Sequence, residues 1–149
     1  MREKIAEALK NALKSKDKRR TGTLRLIQAA IQDRDIANRG VGKDPVNDDE
    51  ILQLLAKMVK QREESAKAFE DGGRLELAAQ ERDEITIIKD FLPQQMDAVA
   101  MQNACQQAIA EIGADGLRDM GKCMAVLKEK YPGKMDFGKA SGLVKDLLK

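Results

Sequence analysis

The chain holds no histidine, so the commonest general base and the commonest zinc ligand are both missing. Two cysteines remain, Cys105 and Cys123. Each falls on an apolar helical stripe, where a free thiol packs as a small hydrophobe. Neither has a histidine to take its proton, so a thiolate nucleophile is not expected. The serines and threonines are Ser15, Ser65, Ser141, Thr21, Thr23 and Thr86, and none sits in a nucleophile-elbow pattern. Asp48-Asp49-Glu50 resembles a metal-binding triplet, but it stands at a helix start, where carboxylates complement the dipole. Gly116-Leu117-Arg118-Asp119-Met120-Gly121-Lys122-Cys123 matches the phosphate-loop spacing G-x-x-x-x-G-K. Cysteine occupies the position whose hydroxyl should ligate magnesium, and a thiol suits a hard cation poorly. The segment before it, 108–112, completes a helical stripe, whereas a phosphate loop follows a buried strand. No catalytic, metal or cofactor site is expected.

Charge is the remaining resource. The formal net charge is only +2, but it is unevenly spread. Residues 2–25 carry nine Lys/Arg against Glu3, Glu7 and Asp17, a net of +6. Residues 118–149 carry eight against Asp119, Glu129, Asp136 and Asp146, a net of +4. Acids concentrate in between. Two basic ends can attract polyanions although the whole chain is near neutral.

The elements that would position these groups are all helical. Hydrophobic residues make up 42% and aromatics 3% of 149 residues, so Leu, Ile, Ala and Met must build the core. The 35% of charged residues suits the outer faces of helix bundles. Ile5, Leu9, Ala12 and Leu13 space a first helix. A second follows Thr21 with Leu24, Ile27 and Ile31, and frays near Gly40. Asn47 caps a third helix, with Glu50 three residues on as in a capping box. It carries Ile51, Leu55, Met58, Arg62, Ala66 and Phe69 inward. Gly72-Gly73 turns the chain into a fourth helix, about Arg74 to Phe91, with Ala78, Ile85, Ile88 and Leu92 on its inner stripe. Together these two make a long helical hairpin. Arg62, on an inner stripe, is expected to find Glu81 or Glu84 across that hairpin. Arg25 and Arg74 are further candidates for structural roles.

Pro93 marks a boundary, since proline forces the residue before it towards extended geometry. Three shorter helices follow. Their stripes are Met101, Cys105, Ala108 and Ile112; then Leu117, Met120, Met124 and Leu127; then, after Asp136 as cap, Phe137, Ala140, Val144 and Leu147. The expectation is an N-terminal helical domain, 1–92, and a small C-terminal three-helix domain, 97–149. No apolar run approaches membrane-spanning length, and the N-terminus lacks the apolar stretch of a signal peptide. Two lone cysteines give no disulfide framework. A cytoplasmic setting without a membrane partner is expected.

Along essentially its full length the chain resembles the GatB/YqeY family. The resemblance is carried by Lys16-Asp17-Lys18, Thr23-Leu24-Arg25-Leu26-Ile27, Lys60-Gln61-Arg62-Glu63-Glu64-Ser65 with Phe69, and Gly73-Arg74. It continues through Glu81, Glu84-Ile85, Phe91-Leu92-Pro93-Gln94-Gln95, Asp119-Met120-Gly121-Lys122, Gly133-Lys134 and Asp136. Cys123 and Phe137 depart from the family pattern. The family includes stand-alone proteins and the C-terminal tail of the B subunit of tRNA-dependent amidotransferase. A similar module is appended to some glutaminyl-tRNA synthetases. The resemblance implies an all-helical fold and a non-catalytic tRNA-binding accessory role, beside an aminoacyl-tRNA synthetase or amidotransferase. It also brings a family-level association with glutamine-dependent carbon–nitrogen ligases. The chain lacks the cradle domain of the B subunit and the amidase subunit that such chemistry needs.

If tRNA is the ligand, cations should meet its phosphates. The candidates in the small domain are Lys122, Lys128, Lys130, Lys134 and Lys139, with backbone N–H groups near Gly138 and Lys139 as added donors. Those in the large domain are Lys14, Lys16, Lys18, Arg19, Arg20 and Arg25. Aromatics for base stacking are nearly absent, so contacts should follow shape and backbone rather than sequence. DNA is not expected as a ligand. A helical protein–protein adaptor whose hairpin docks an unrelated partner is the alternative, and an unrecognised enzyme the third possibility.

Overall fold

The computed structural model describes residues 1–149 and is helical throughout, without strands. Its helices are α1 (Arg2–Lys14), α2 (Lys18–Gly40), α3 (Asp48–Asp71), α4 (Leu75–Lys89), α5 (Ala98–Ile112), α6 (Met120–Lys130) and α7 (Phe137–Leu148), with a 3₁₀ turn at Leu117–Asp119. The chain divides into two compact units, Met1–Leu92 and Pro93–Lys149.

In the first unit, α1 ends in a tight reversal. The Asp17 N–H donates to the Ala12 carbonyl and the Lys16 N–H to that of Leu13, while Lys16 takes φ = 58°. This is the Schellman pattern, with lysine where glycine is usual. The reversal hands the chain directly to α2, because the Asp17 carboxylate accepts from the Arg20 N–H at 3.1 Å. Helix α2 therefore starts at Lys18, four residues before the start expected after Thr21, and Thr21 is buried in its first turn. A hydroxyl at Thr21 competes poorly with a carboxylate already placed at the end of a closed turn.

Helix α3 begins as its sequence predicts, with Asn47 Oδ1 accepting from the Glu50 N–H at 2.9 Å. Asp48, Asp49 and Glu50 fill its first turn, where they face the positive end of the dipole. Gly73, at φ = +77°, takes the left-handed position that turns α3 into α4. These two helices make the most extensive pairing in the unit. Ile5, Leu24, Ile27, Ile51, Leu55 and Ile88 are its fully buried centre. Phe91 is buried although α4 has ended at Lys89, and Leu92 packs against the same core. Leu13, by contrast, is half exposed.

Arg2 closes the far end of this unit. Its guanidinium grips both carboxylate oxygens of Asp35 at 2.8 Å and also donates to the Val46 carbonyl. Asp35 in turn accepts from the Val46 N–H at 2.9 Å. The Arg2 hydrogen bond, then the Val46 N–H, hold the Asp35 carboxyl down at about 2, against an ordinary 3.8. A depressed folded pKa gives stability that is complete above the unfolded value and lost as pH falls through the folded one. Asp35→Asn is thus expected to be less stable than the wild type at neutral pH. Its deficit should shrink between pH 5 and pH 2, measured by denaturant midpoints across that range. A deficit independent of pH would show that the carboxylate charge is not what Arg2 reads.

The second unit starts before its first helix. The Met96 N–H donates to the Lys134 carbonyl at 2.8 Å and Gln95 Nε2 to that of Gly133 at 2.6 Å. The residues after Pro93, which fall between the two expected domains, are therefore tied to the small bundle. Asp97 caps α5 and Asp136 caps α7. Cys105, Cys123, Leu127, Ala140 and Val144 form the fully buried centre. Leu117 departs from its predicted inward position and is 49% exposed, while Met120 and Met124 are only half-buried. The inward face of α6 is Cys123 and Leu127. Leu117 stands in the 3₁₀ turn that precedes α6, one full turn before Met120, outside the helix whose Cys123 and Leu127 are buried. Leu147 is likewise 39% exposed.

Candidate nucleic-acid interface

The cations around the first helix reversal separate into two groups. Arg19 pairs with Asp83, and Arg20 donates to Asp90 at 3.0 Å, so both side chains fasten α2 to the α4 segment. Lys14, Lys16, Lys18 and Arg25 are exposed and hold no ion pair. Lys14 closes α1, Lys16 sits at the apex of the turn, and Lys18 opens α2. Arg25 lies seven residues beyond Lys18, two turns along the same helix face and about 10.5 Å away along the axis. Four uncompensated charges thus fall within a dozen residues of rigid backbone.

The small unit divides in the same way. Lys130 is bound to Glu111, whose hydrogen bond raises its pKa. Lys122 lies 3.8 Å from Asp119. Lys128, Lys134 and Lys139 are exposed without an ion pair. The expected phosphate donors at the start of α7 are already used: Asp136 accepts from the N–H of Gly138 at 2.8 Å and of Lys139 at 3.4 Å. A carboxylate at that position also repels an incoming anion, so this helix end is withdrawn as a phosphate site.

Other chemistry finds little support in the geometry. The G-x-x-x-x-G-K segment spans the 3₁₀ turn and the first turn of α6, no strand precedes it, and the Cys123 side chain points into the core. Burial pushes both thiols up, away from the reactive thiolate. No three Cys, Asp or Glu side chains gather where they could hold a metal ion. The cleft between α3 and α4 is lined by Glu63, Glu70, Arg82 and Thr86 and bridged by the Arg82–Glu70 pair. The predicted pairing of Arg62 is found with Glu84, at 2.9 Å. Arg25 and Arg74 make no such contact and stand exposed.

A family model described as Yqey-like protein matches residues 2–148. The chain belongs to the YqeY-like family. This is the family related to the tail of the amidotransferase B subunit, and it is not itself a catalytic family. An uncharacterised protein of Schizosaccharomyces pombe is 30% identical over 90 residues, which cover 60% of this chain and 70% of that protein. The mitochondrial protein "altered inheritance of mitochondria protein 41" of Saccharomyces cerevisiae is 30% identical over 86 residues, 58% of this chain. The same-named protein of Lachancea thermotolerans is 34% identical over 90 residues. The matched region spans less than half of each of these two mitochondrial proteins, 45% and 46% respectively. No helix of this YqeY-like chain is long and apolar enough to cross a membrane.

Sequence reasoning did not separate paired from unpaired cations. A signal was available: Asp83 and Asp90 are seven residues apart, so one helical face could present both to consecutive arginines. It also passed over Lys10, exposed without an ion pair and four residues from Lys14 on one face of α1.

Proposed function

We propose that this YqeY-like chain is a non-catalytic tRNA-binding accessory module, working beside an aminoacyl-tRNA synthetase or an amidotransferase. The observation that carries the reading is the group of unpaired cations at Lys14, Lys16, Lys18 and Arg25. Lys128, Lys134 and Lys139 of the small unit add to it. Phosphate neutralisation releases counterions and supplies affinity without base reading. Exposed aromatics for stacking are absent, and Tyr131, the single tyrosine, is half-buried. The ligand is therefore recognised by backbone and shape. A cytoplasmic setting and a family-level association with carbon–nitrogen ligation, through a partner that holds the active site, belong to the same reading.

The test is a titration of the full chain with purified tRNA across salt. With about five phosphate contacts, log affinity should fall against log salt with a slope of about −4. Absence of binding at low salt sinks the reading. Glutamine-dependent transamidation by the isolated chain overturns the non-catalytic part.

One observation favours a protein–protein adaptor as the second reading. The tip of the α3–α4 hairpin exposes Leu75 and Leu77, 64% and 37% accessible. A partner caught at these leucines with no RNA bound would replace the first reading.

A further inference from the structure

Two residues on either side of Lys18 are poor choices for folding. Lys16 occupies a left-handed position, φ = 58°, where glycine would be free of strain. Gly22 occupies an ordinary helical position in α2, where alanine would strengthen the helix. Nothing lies within 4 Å of a Cβ added at Gly22, so no packing inside the chain requires glycine there. A cation stands where glycine is cheaper, and a glycine where a side chain is cheaper. Local choices that work against the fold mark places where something other than folding is served.

The second choice lies on the exposed stripe of α2, and the first in the turn that leads into it. The inward face of α2 is set by Leu24, Ile27, Ile31 and Asn38, all buried. On the opposite side, helical spacing aligns Lys18, Gly22, Arg25 and Ala29, all exposed. Lys16 in the reversal and Lys14 at the end of α1 precede this stripe in the chain and are exposed too. Asp17 is the one acid within 14–25, and its carboxylate already caps α2. A mid-helix glycine lets a ligand's backbone approach the helix closely, and the flanking cations specify that the ligand is anionic. Gly142 of α7 shares the missing packing and has exposed Lys139 and Lys145 three residues to either side, but no left-handed cation like Lys16 accompanies it.

We propose that the outer face of α2, from the Lys16 turn through Gly22 to Ala29, docks the sugar–phosphate backbone of a double-helical stem of tRNA. This rests on the tRNA reading and assigns its main contact to the first unit. A stem is the chemistry that fits: regularly spaced phosphates answer cations two helical turns apart, and this face holds no aromatic for splayed bases.

The full chain is titrated by fluorescence anisotropy with folded tRNA and with a double-helical RNA of unrelated sequence. Wild type should bind both. K14Q/K18Q/R25Q should weaken both about tenfold or more and reduce the salt slope by roughly three. G22L adds bulk into open space, so it should raise the melting temperature while weakening RNA several-fold. K128Q/K134Q/K139Q, in the second unit, should cost less than the first-unit triple variant. If only the second-unit variant loses affinity, the docking face is wrong and the tRNA reading stands. If wild type binds neither RNA, both fall. Should wild type sediment as a dimer that G22L makes monomeric, the face belongs to a second copy and the proposal is overturned.

Discussion

Replacing Leu127 by alanine is expected to unfold the small C-terminal unit while α1–α4 stay folded. Leu127 is fully buried among Cys105, Cys123, Ala140 and Val144. Truncating such a leucine costs about 2–5 kcal/mol through lost transfer energy and the cavity left behind. A unit of this size holds only about 3–8 kcal/mol in total. One truncation therefore removes most of what keeps α5, α6 and α7 together. The chain supplies its own reporter: it has one tyrosine and no tryptophan, and Tyr131 packs against the second core. Tyrosine emission follows the small unit, whereas helical circular dichroism follows both. In the variant the tyrosine transition should shift to much lower denaturant, leaving a large dichroism transition at the wild-type midpoint. Coincident transitions by the two probes would show that the division at Pro93 is geometric and not energetic.

The fold was legible where its determinants are local. Asn47, Asp136 and Gly73 announce a cap, a cap and a turn through residues two or three positions away. The Arg62–Glu84 pair was within reach because a two-glycine turn fixes the hairpin register. Predictions failed where a local rule met a competitor or the edge of an element. Thr21 is a plausible cap, but the turn through Lys16 places Asp17 first. Leu117 keeps helical spacing with Met120 in sequence, yet it lies in the 3₁₀ turn before α6 and stays exposed. The candidate interface was legible as a charge excess and not as a surface. Deciding which cations are free requires knowing that Asp83 and Asp90 reach Arg19 and Arg20, more than sixty residues away. No local pattern around the arginines carries that information. Gly22 needed the structure for the opposite reason: only the empty space beside it shows that the fold does not require it.

The second large effect concerns the ion pair inside the hairpin. Arg62 Nε donates to Glu84 at 2.9 Å, with both side chains about 85% buried, and Arg62 also reaches the Met58 carbonyl. Removing one member of a buried pair leaves the other charge without compensation, at a cost of about 3–5 kcal/mol. Residual solvent access lowers that here, so Arg62→Met should destabilise the first unit by about 2–3 kcal/mol. Part of the cost comes from a third group. Burial, then the Glu84 charge, raise the Glu81 carboxyl, and Arg62 is the neighbour that opposes the rise. Without Arg62 two acids face each other with nothing between them. A carboxyl raised in the folded state destabilises above its unfolded pKa, and the penalty is relieved as protonation sets in. The deficit of Arg62→Met should therefore be larger at pH 8 than at pH 5, by helical dichroism against denaturant. Arg62→Met/Glu84→Leu replaces the pair by apolar bulk and should recover most of the loss, because neither charge is then stranded. Were the double variant as unstable as the sum of its single changes, the two side chains would be acting independently. The 2.9 Å contact would then contribute nothing to holding α3 against α4.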